Sequence, residues 1–179
     1  MFPRFDLSAF EAAHPAVRRD LARTVDQICR DTGFLVLEGH GVAQSVIDNV
    51  WTAAEAFFAQ DATLKQAVAP PYQGYPYGYL GPDAEALARS KGEDTPPDLK
   101  ESFNGGPLQV PAEANSDAWD FCYHPTLWPD LPDFKEAWQA YYAAMEDLAA
   151  RIMRAFAVAL GLNDDHFDPF IATPISALR

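Results

Sequence analysis

Basic residues are scarce in this chain of 179 residues. Lysine and arginine together number 13, whereas aspartate and glutamate number 26, which gives a formal net charge of −13. Nucleic acids and anionic membrane surfaces attract proteins through clustered basic side chains. We therefore expect neither a nucleic acid nor a membrane among the partners of this protein.

Cysteines and long apolar runs are also rare. The cysteines are Cys29 and Cys122, and no apolar run reaches the roughly 18 residues that a membrane-spanning helix needs. The first residues, MFPRFDLS, lack the charged segment followed by an apolar segment that marks a secretory signal peptide. These absences predict a cytoplasmic protein whose two thiols are free.

Several catalytic motifs are missing as well. Gly39 and Gly41 flank His40, but neither a third glycine at dinucleotide-binding spacing nor a P-loop lysine follows. No serine lies in the G-x-S-x-G context of a hydrolase nucleophile. His166 and Asp168 have the H-x-D spacing of an iron site, but such a site needs a second histidine and none follows residue 166. We therefore expect His40 in a turn that closes a strand, a solvated turn at His166, no metal site and no catalytic residue.

Three segments carry the apolar spacing of amphipathic helices. Apolar residues make up 49% of the chain, enough for the core of about one domain. The spacing predicts helices over Ala16–Asp31, with Gly33 as a left-handed cap, and over Asn49–Ala59. The strongest pattern predicts one long helix over Asp133–Leu160, begun by Asp133 and ended by Gly161. Its apolar stripe comprises Phe134, Trp138, Tyr141, Met145, Leu148, Ile152, Phe156 and Leu160.

Short strands are predicted between and around these helices. Phe2–Leu7 is extended in character, and the apolar run Phe34–Leu37 is typical of a buried strand. Leu99–Phe103 and Pro174–Arg179 are further predicted strands, whereas residues 104–132 are rich in Pro, Asn and Asp and are predicted to be irregular. The mixture predicts an α+β fold.

A tyrosine-rich stretch stands out from the other loops. The segment PPYQGYPYGYLGP is a loop by composition, and it holds four tyrosines at close spacing, Tyr72, Tyr75, Tyr77 and Tyr79. Tyrosines among glycines make adaptable binding surfaces. They can equally pack over the long helix and hold the loop in place, and the sequence leaves both interpretations open.

The order of these segments resembles a known family. The stretch DTGFLVLEGHGV at 31–42 is followed by Phe57-Phe58 and then Lys65, and K-E-S-F stands at 100–103. From Phe5 to Arg179 the chain is similar to the N-terminal portion of the isopenicillin N synthase-like family of non-haem iron(II), 2-oxoglutarate-dependent oxygenases. The K-E-S-F segment points to the bacterial branch of that family.

The resemblance implies a fold and a division of the chain. It implies the helical and short-strand region that precedes a double-stranded β-helix, or jelly roll, with the long helix backing that sheet. Residues 1–68 would form strand–helix–strand–helix, residues 69–132 a loop-rich substrate-side segment, and residues 133–179 the long helix and an entry strand. The jelly-roll core would be largely absent from this chain.

The resemblance also implies an activity. Family members use iron(II) and 2-oxoglutarate to hydroxylate, desaturate or cyclise small molecules. Their H-x-D, distal histidine and R-x-S follow the strand that Pro174–Arg179 resembles, so we expect the chain to be a fragment or a truncated product. Alone it would bind neither cofactor and would be inactive. The residues implied to face the substrate are Tyr77, Tyr79, Glu101, Ser102, Phe103, Ser176 and Arg179.

Two further expectations follow from the same resemblance. Without the jelly-roll sheet, part of the apolar face of the long helix would be uncovered, and exposed apolar patches favour self-association. An alternative function is a non-catalytic interaction module on the same scaffold, with the tyrosine-rich loop as its binding face.

Overall fold

The computed structural model describes residues 2–82, 84, 92, 96, 98–112 and 116–179. The helices are α1 (Leu7–Ala12), α2 (Pro15–Thr32), α3 (Gln44–Phe58), α4 (Ala62–Gln66), α5 (Asp117–Cys122), α6 (Phe134–Ala159) and α7 (Asp168–Ile171). The strands are β1 (Arg4–Asp6), β2 (Val36–Glu38), β3 (Gly78–Leu80) and β4 (Ser102–Asn104). The α+β class predicted from the sequence is therefore confirmed. No helix within the described ranges combines the length and apolar character needed to cross a membrane.

The chain forms two compact units. The first comprises Met1–Gln44 and Ala143–Thr173, and the second comprises Ser45–Tyr142 and Pro174–Arg179. Helix α6 contributes residues to both units. These bounds differ from the three regions that the family resemblance implies, and that three-part division stays a prediction.

The first unit is built on a parallel pair of strands. Strand β1 pairs with β2, with Phe5 opposite Leu37. Parallel strands need a crossover connection, which here runs through α1 and α2. The core beneath the sheet contains Phe5, Leu7, Phe10, Ala22, Val25, Ile28 and Ala155.

Helix α2 follows its sequence pattern closely. Pro15 occupies the first turn, where its missing N–H leaves no intrahelical bond unmade. Gly33 has a φ of 70°, and its N–H bonds to the carbonyl of Cys29. The predicted left-handed cap is therefore confirmed. Both Cys29 and Cys122 are free thiols.

The segment Phe34–Leu37 differs from its prediction as a buried strand. The strand is Val36–Glu38, and the side chains of Phe34 and Val36 are 65% and 38% exposed. Leu35 and Leu37 pack against the core instead. Alternate side chains of a strand point to opposite faces, so only every second residue of this run reaches the core.

Arg151 joins three segments of the first unit. Its Nε and Nη2 donate to the two carboxylate oxygens of Glu11 at 2.6 and 2.8 Å, and its Nη1 donates to the carbonyl of His40 at 2.9 Å. The same turn holds Gly39 and Gly41, whose φ values are 62° and 75°. The Nδ1 of His40 accepts the N–H of Val42 at 3.1 Å. The predicted turn at His40 is confirmed, and Arg151 fixes it to α6 and α1.

Replacing Arg151 by lysine is expected to lower the free energy of unfolding by about 1 kcal/mol, because an ammonium cannot reproduce the planar two-pronged bond to Glu11. Urea unfolding measures this change in stability. Arg23→Lys, on the exposed face of α2, is the control and should stay within about 0.5 kcal/mol of the parent.

The hydrogen bond from Arg151 lowers the pKa of Glu11 below its usual 4.5. The stabilisation is therefore complete above the unfolded-state pKa and is lost as the pH falls through the folded-state pKa. Glu11→Gln has no carboxylate at this position, so its free energy of unfolding should fall less on acidification than that of the parent. An equal fall in both proteins would contradict this assignment.

The second unit is built on an antiparallel pair. Strand β3 pairs with β4, with Tyr79 opposite Phe103. Residues 174–179, predicted as a strand, make a single bridge from Leu178 to Gly105. The core contains Phe57, Val68, Tyr79, Phe103, Phe134, Trp138 and Tyr142.

Two elements of this unit lie where irregular structure was predicted. Strand β3 falls inside the tyrosine-rich segment, because Tyr79 is buried and pairs across to β4. Helix α5 falls inside residues 104–132 and is a single short run of six residues. Short elements fixed by tertiary contacts leave little periodicity in the sequence. The helical turn suggested by Ala84–Arg89 lies largely outside the described residues.

The long helix confirms the strongest sequence pattern. Helix α6 spans 26 residues, and its end is closed by the N–H of Gly161 to Val158 and of Leu162 to Ala157. This bonding is a Schellman motif, with Gly161 at a φ of 75°. Leu160, placed on the apolar stripe, is 63% exposed because it lies beyond the last helical turn.

Candidate functional site

A cavity of about 530 Å³ lies within the second unit. This volume falls in the range of pockets that hold small molecules. Its walls come from α3, from residues 100–103, from the first turns of α6 and from the last two residues of the chain. The apolar lining residues are Val50, Ala53, Ala54, Phe58, Phe103, Phe134, Trp138, Tyr141 and Leu178.

A cluster of aromatic rings supports these walls from behind. Phe57 is fully buried, and its ring centroid lies 5.1 to 5.9 Å from those of four other rings. Its ring neighbours are Phe58, Tyr79, Phe103 and Phe134. Gly105 admits the ring of Trp138 so closely that a Cβ there would lie 2.3 Å from Cζ2. The cavity surface is therefore set by packing that tolerates little change.

One edge of the cavity is polar. Lys100, Glu101, Ser102 and Arg179 line it. The Nη2 of Arg179 donates to the hydroxyl oxygen of Ser102 at 3.1 Å. The bridge between Gly105 and Leu178 places this arginine beside β4.

Lys65 on α4 is a buried cation next to this edge. It is 7% exposed, and its Nζ donates to Oε2 of Glu101 at 2.5 Å and to the carbonyl of Phe58 at 3.1 Å. The hydroxyl of Tyr79 donates to the same Oε2 at 2.7 Å. Glu101 is therefore held by two donors from two different elements.

The protonation states of this cluster follow from these bonds. The hydrogen bond from Lys65, followed by that from Tyr79, lowers the pKa of Glu101 below its usual value. Burial, together with the hydrogen bond to Glu101, raises the pKa of Tyr79 to about 12. Near pH 7 Glu101 is a carboxylate, and Tyr79 keeps the proton that it donates.

The residues expected to face a substrate divide into three groups. Glu101, Ser102, Phe103 and Arg179 line the cavity. Tyr79 reaches it through Glu101. Tyr77 and Ser176 lie outside the lining.

Tyr77 and Ser176 have other contacts. The hydroxyl of Tyr77 donates to the carbonyl of Cys122 at 2.5 Å, and burial raises the pKa of Tyr77 to about 12. Ser176 is exposed, and its carbonyl accepts from the hydroxyl of Tyr142 at 2.8 Å. Both residues therefore tie segments of the second unit together.

Lys65 is the member of the cluster that the sequence did not predict as a site residue. In the sequence, Lys65 enters only as the lysine of the family pattern that follows Phe57-Phe58. A lysine in a short amphipathic segment is usually exposed, and nothing in the spacing of its neighbours indicates burial.

The tyrosine-rich loop is pinned by its hydroxyl groups. Tyr75 donates to the carbonyl of Pro125 at 2.5 Å and stacks on His124 with ring centroids 4.8 Å apart. Tyr72 bonds to Nε2 of His124 at 3.1 Å. The loop is thus held on residues 122–125, whereas packing over the long helix was the expected alternative to a binding surface.

The H-x-D triplet belongs to the first unit and is not part of the cavity lining. His166 is exposed in a turn, and Asp168 forms an ion pair with Arg154 at 2.7 Å. Within the part of the chain that the structure describes, no group of three or more His, Cys, Asp or Glu side chains could hold a metal. The described residues therefore do not fit an iron(II) site.

The second unit of this α+β protein therefore holds an aromatic cavity with one polar edge. Residues 2–131 match the family model described as non-haem dioxygenase in morphine synthesis N-terminal. The chain belongs to this family of N-terminal regions of non-haem dioxygenases. The recognition made from the sequence, of an N-terminal portion of a non-haem iron and 2-oxoglutarate oxygenase, is confirmed.

Individual proteins show the extent of the likeness. The chain is 32% identical to Validamycin A dioxygenase of Streptomyces hygroscopicus subsp. limoneus, over 92% of this chain and 45% of that protein. It is 27% identical to the 2-oxoglutarate-Fe(II) type oxidoreductase hxnY of Emericella nidulans, over 99% of this chain and 51% of that protein. A full-length Neurospora crassa protein, solved in complex with alpha-KG, has the same fold, with a TM-score of 0.78 at 23% identity, covering 98% of this chain and 52% of that one. The chain spans about half the length of the relatives it matches.

Proposed function

We propose that this chain is the N-terminal scaffold and substrate-pocket half of a non-haem iron(II), 2-oxoglutarate-dependent dioxygenase that oxidises a small molecule. The match of residues 2–131 to the family of non-haem dioxygenase N-terminal regions carries the proposal. The names of similar proteins, a dioxygenase and a 2-oxoglutarate-Fe(II) type oxidoreductase, support the same reaction class. The size of the cavity supports a small-molecule substrate.

The role proposed for these residues is to bind and orient the substrate. Phe58, Phe134 and Trp138 offer apolar surface that excludes water from a bound molecule. Glu101, Ser102 and Arg179 supply the few polar groups that fix its orientation. Tyr79 acts through Glu101, and the proposal gives Tyr77 and Ser176 no direct contact with substrate.

Iron(II) and 2-oxoglutarate supply the oxidising chemistry in this family. Because the described residues do not fit an iron site, we propose that residues 1–179 alone are inactive and that the iron ligands and the jelly-roll core belong to other polypeptide. The predicted self-association through the long helix belongs to the same proposal.

Succinate release tests this proposal directly. With iron(II), 2-oxoglutarate and ascorbate supplied, the 179-residue chain is expected to release no more succinate than a protein-free control, because three metal ligands are not brought together. Reading the gene beyond the codon for Arg179 completes the test. We expect an H-x-D, a distal histidine and an R-x-S, and the longer product should release succinate. A stop codon at that point, or robust turnover by the chain alone, would contradict the proposal.

A further inference from the structure

Glu101 lies where two cavities meet. It lines the cavity of about 530 Å³ and also a neighbouring one of about 420 Å³, whose lining includes Phe58, Pro82 and Lys100. Its side chain is 33% exposed, although the Lys65 side chain behind it is only 9% exposed. A carboxylate is therefore presented at an apolar surface with its charge partner on the buried side.

The two oxygens of this carboxylate are unequal. Both donors, the ammonium of Lys65 and the hydroxyl of Tyr79, bind Oε2. No described residue donates a hydrogen bond to Oε1. A carboxylate oxygen accepts up to two hydrogen bonds, so with respect to the described residues Oε1 keeps its full capacity to accept from a ligand.

The position of the carboxylate is fixed by a buried charge. Lys65 is also bonded to the carbonyl of Phe58, and its Nζ lies 5.6 Å from the centre of the Tyr79 ring. Burying an ammonium group carries a desolvation penalty, and well-packed apolar residues usually serve stability as well or better. A buried lysine that aims a carboxylate at a cavity therefore indicates a role in recognition as well as packing.

We infer that Glu101 determines specificity by accepting, through Oε1, a hydrogen bond from a hydroxyl or ammonium group of the substrate. The apolar part of that molecule lies against Phe58, Phe134 and Trp138. Lys65 and Tyr79 are positioning residues that hold Oε2. The inference rests on the proposed function in taking this cavity as the substrate pocket, and it adds the chemical class of the substrate.

An anionic ligand is the main competing possibility, since Lys100 and Arg179 also line the cavity. Both cations already have partners in the chain. Lys100 lies 3.2 Å from a carboxylate oxygen of Asp98, and Arg179 donates to Ser102. Oε1 of Glu101 receives no hydrogen bond from the part of the chain that the structure describes, which favours a ligand that donates.

Four matched probes separate these possibilities on the ¹⁵N-labelled 179-residue chain. They are 2-phenylethanol, its methyl ether, 2-phenylethylamine and 3-phenylpropanoate, titrated at about pH 7 while the amide signals of residues 100–103 are followed by NMR. We expect the alcohol and the ammonium to bind about tenfold more tightly than the ether, because a hydrogen bond to a charged acceptor is worth about that factor or more. Equal affinity of alcohol and ether, or tightest binding by the carboxylate, would overturn the inference.

Two variants assign the preference to Glu101. In Lys65→Met/Glu101→Leu the buried pair is replaced by apolar groups, and the alcohol-to-ether ratio should fall to about one. Glu101→Gln keeps an acceptor for Lys65 and should lower the ammonium-to-ether ratio by about fivefold or more. Glu136→Gln, an exposed residue of α6 outside this cavity, should change neither ratio. If the double variant does not fold, Glu101→Gln decides alone, and unchanged ratios in it overturn the inference.

The positioning role of Tyr79 has its own readout. The bond from Tyr79 lowers the pKa of Glu101, so Tyr79→Phe should raise that pKa. Binding of 2-phenylethylamine should then be lost at a higher pH in Tyr79→Phe than in the parent, and a pH profile identical to the parent's would overturn this role. None of these titrations needs iron or 2-oxoglutarate, so their outcome is independent of whether the longer protein turns over.

Discussion

Replacing Phe57 by alanine is expected to lower the free energy of unfolding by about 4 kcal/mol. The side chain is fully buried, and four aromatic rings surround it. Removing the ring loses its transfer free energy and leaves a void that rigid neighbours fill poorly. Urea unfolding followed by circular dichroism measures the change.

Two further variants serve as controls for the loss of stability in Phe57→Ala. Phe121→Ala removes the same group from a side chain that is 52% exposed, and it should change stability by no more than about 0.5 kcal/mol. Phe57→Leu keeps most of the volume and should cost about 1.5 kcal/mol. A loss below about 1 kcal/mol for Phe57→Ala would mean that the aromatic cluster is not the core of the second unit.

The same substitution has a consequence for the cavity. Phe58, Phe103 and Phe134 line the cavity, and all three rings contact Phe57. A void behind them lets these rings move into the space that Phe57 occupied. Fold stability and the shape of the cavity are therefore coupled through one side chain that is not part of the cavity lining.

Long helices were predictable from the sequence because buried residues recur along them at a regular spacing. Phe134 and Trp138 lie four residues apart on one face of α6, and both are buried. The three-residue strands offer no such repetition. Strand β3 lies in a segment rich in glycine and proline, whose composition predicts a loop. The strand forms because it pairs with β4, with Tyr79 opposite Phe103. That contact joins residues 24 positions apart, since 103 − 79 = 24, which is beyond any local pattern.

The candidate site was predictable only in part. Glu101, Ser102, Phe103 and Arg179 were placed by family resemblance, and all four line the cavity. The side-chain alternation of a strand does not say which neighbouring helix covers it. Lys65 is not predictable as a site residue, because its partner Glu101 lies 36 positions further along the chain and its own sequence neighbours resemble those of a surface lysine.

The pairing of Lys65 with Glu101 predicts an unequal response to mutation of its two members. Glu101→Leu leaves a buried ammonium whose remaining acceptor is the carbonyl of Phe58, and it should lower the free energy of unfolding by about 2 kcal/mol. This is below the loss for a fully buried pair, because one third of Glu101 is exposed to solvent. Lys65→Met leaves a carboxylate that solvent and Tyr79 still reach, so it should cost about 1 kcal/mol.

The double variant Lys65→Met/Glu101→Leu should be more stable than Glu101→Leu alone, because no buried charge remains without its partner. Unfolding free energies of the parent, the two single variants and the double variant give the coupling between the two residues, expected at about 2 kcal/mol.

Stability at acid pH supplies an independent measurement. Since Lys65 and Tyr79 lower the pKa of Glu101, its contribution is complete above the unfolded-state pKa and is lost as the pH falls through the folded-state pKa. The double variant should therefore lose less stability than the parent on acidification below about pH 4.5, the usual pKa of a glutamate. Additive losses in the cycle, with an unchanged acid response, would show that the contact between Nζ and Oε2 contributes nothing to the folded state. Glu101 would then be positioned only by the backbone that leads into β4.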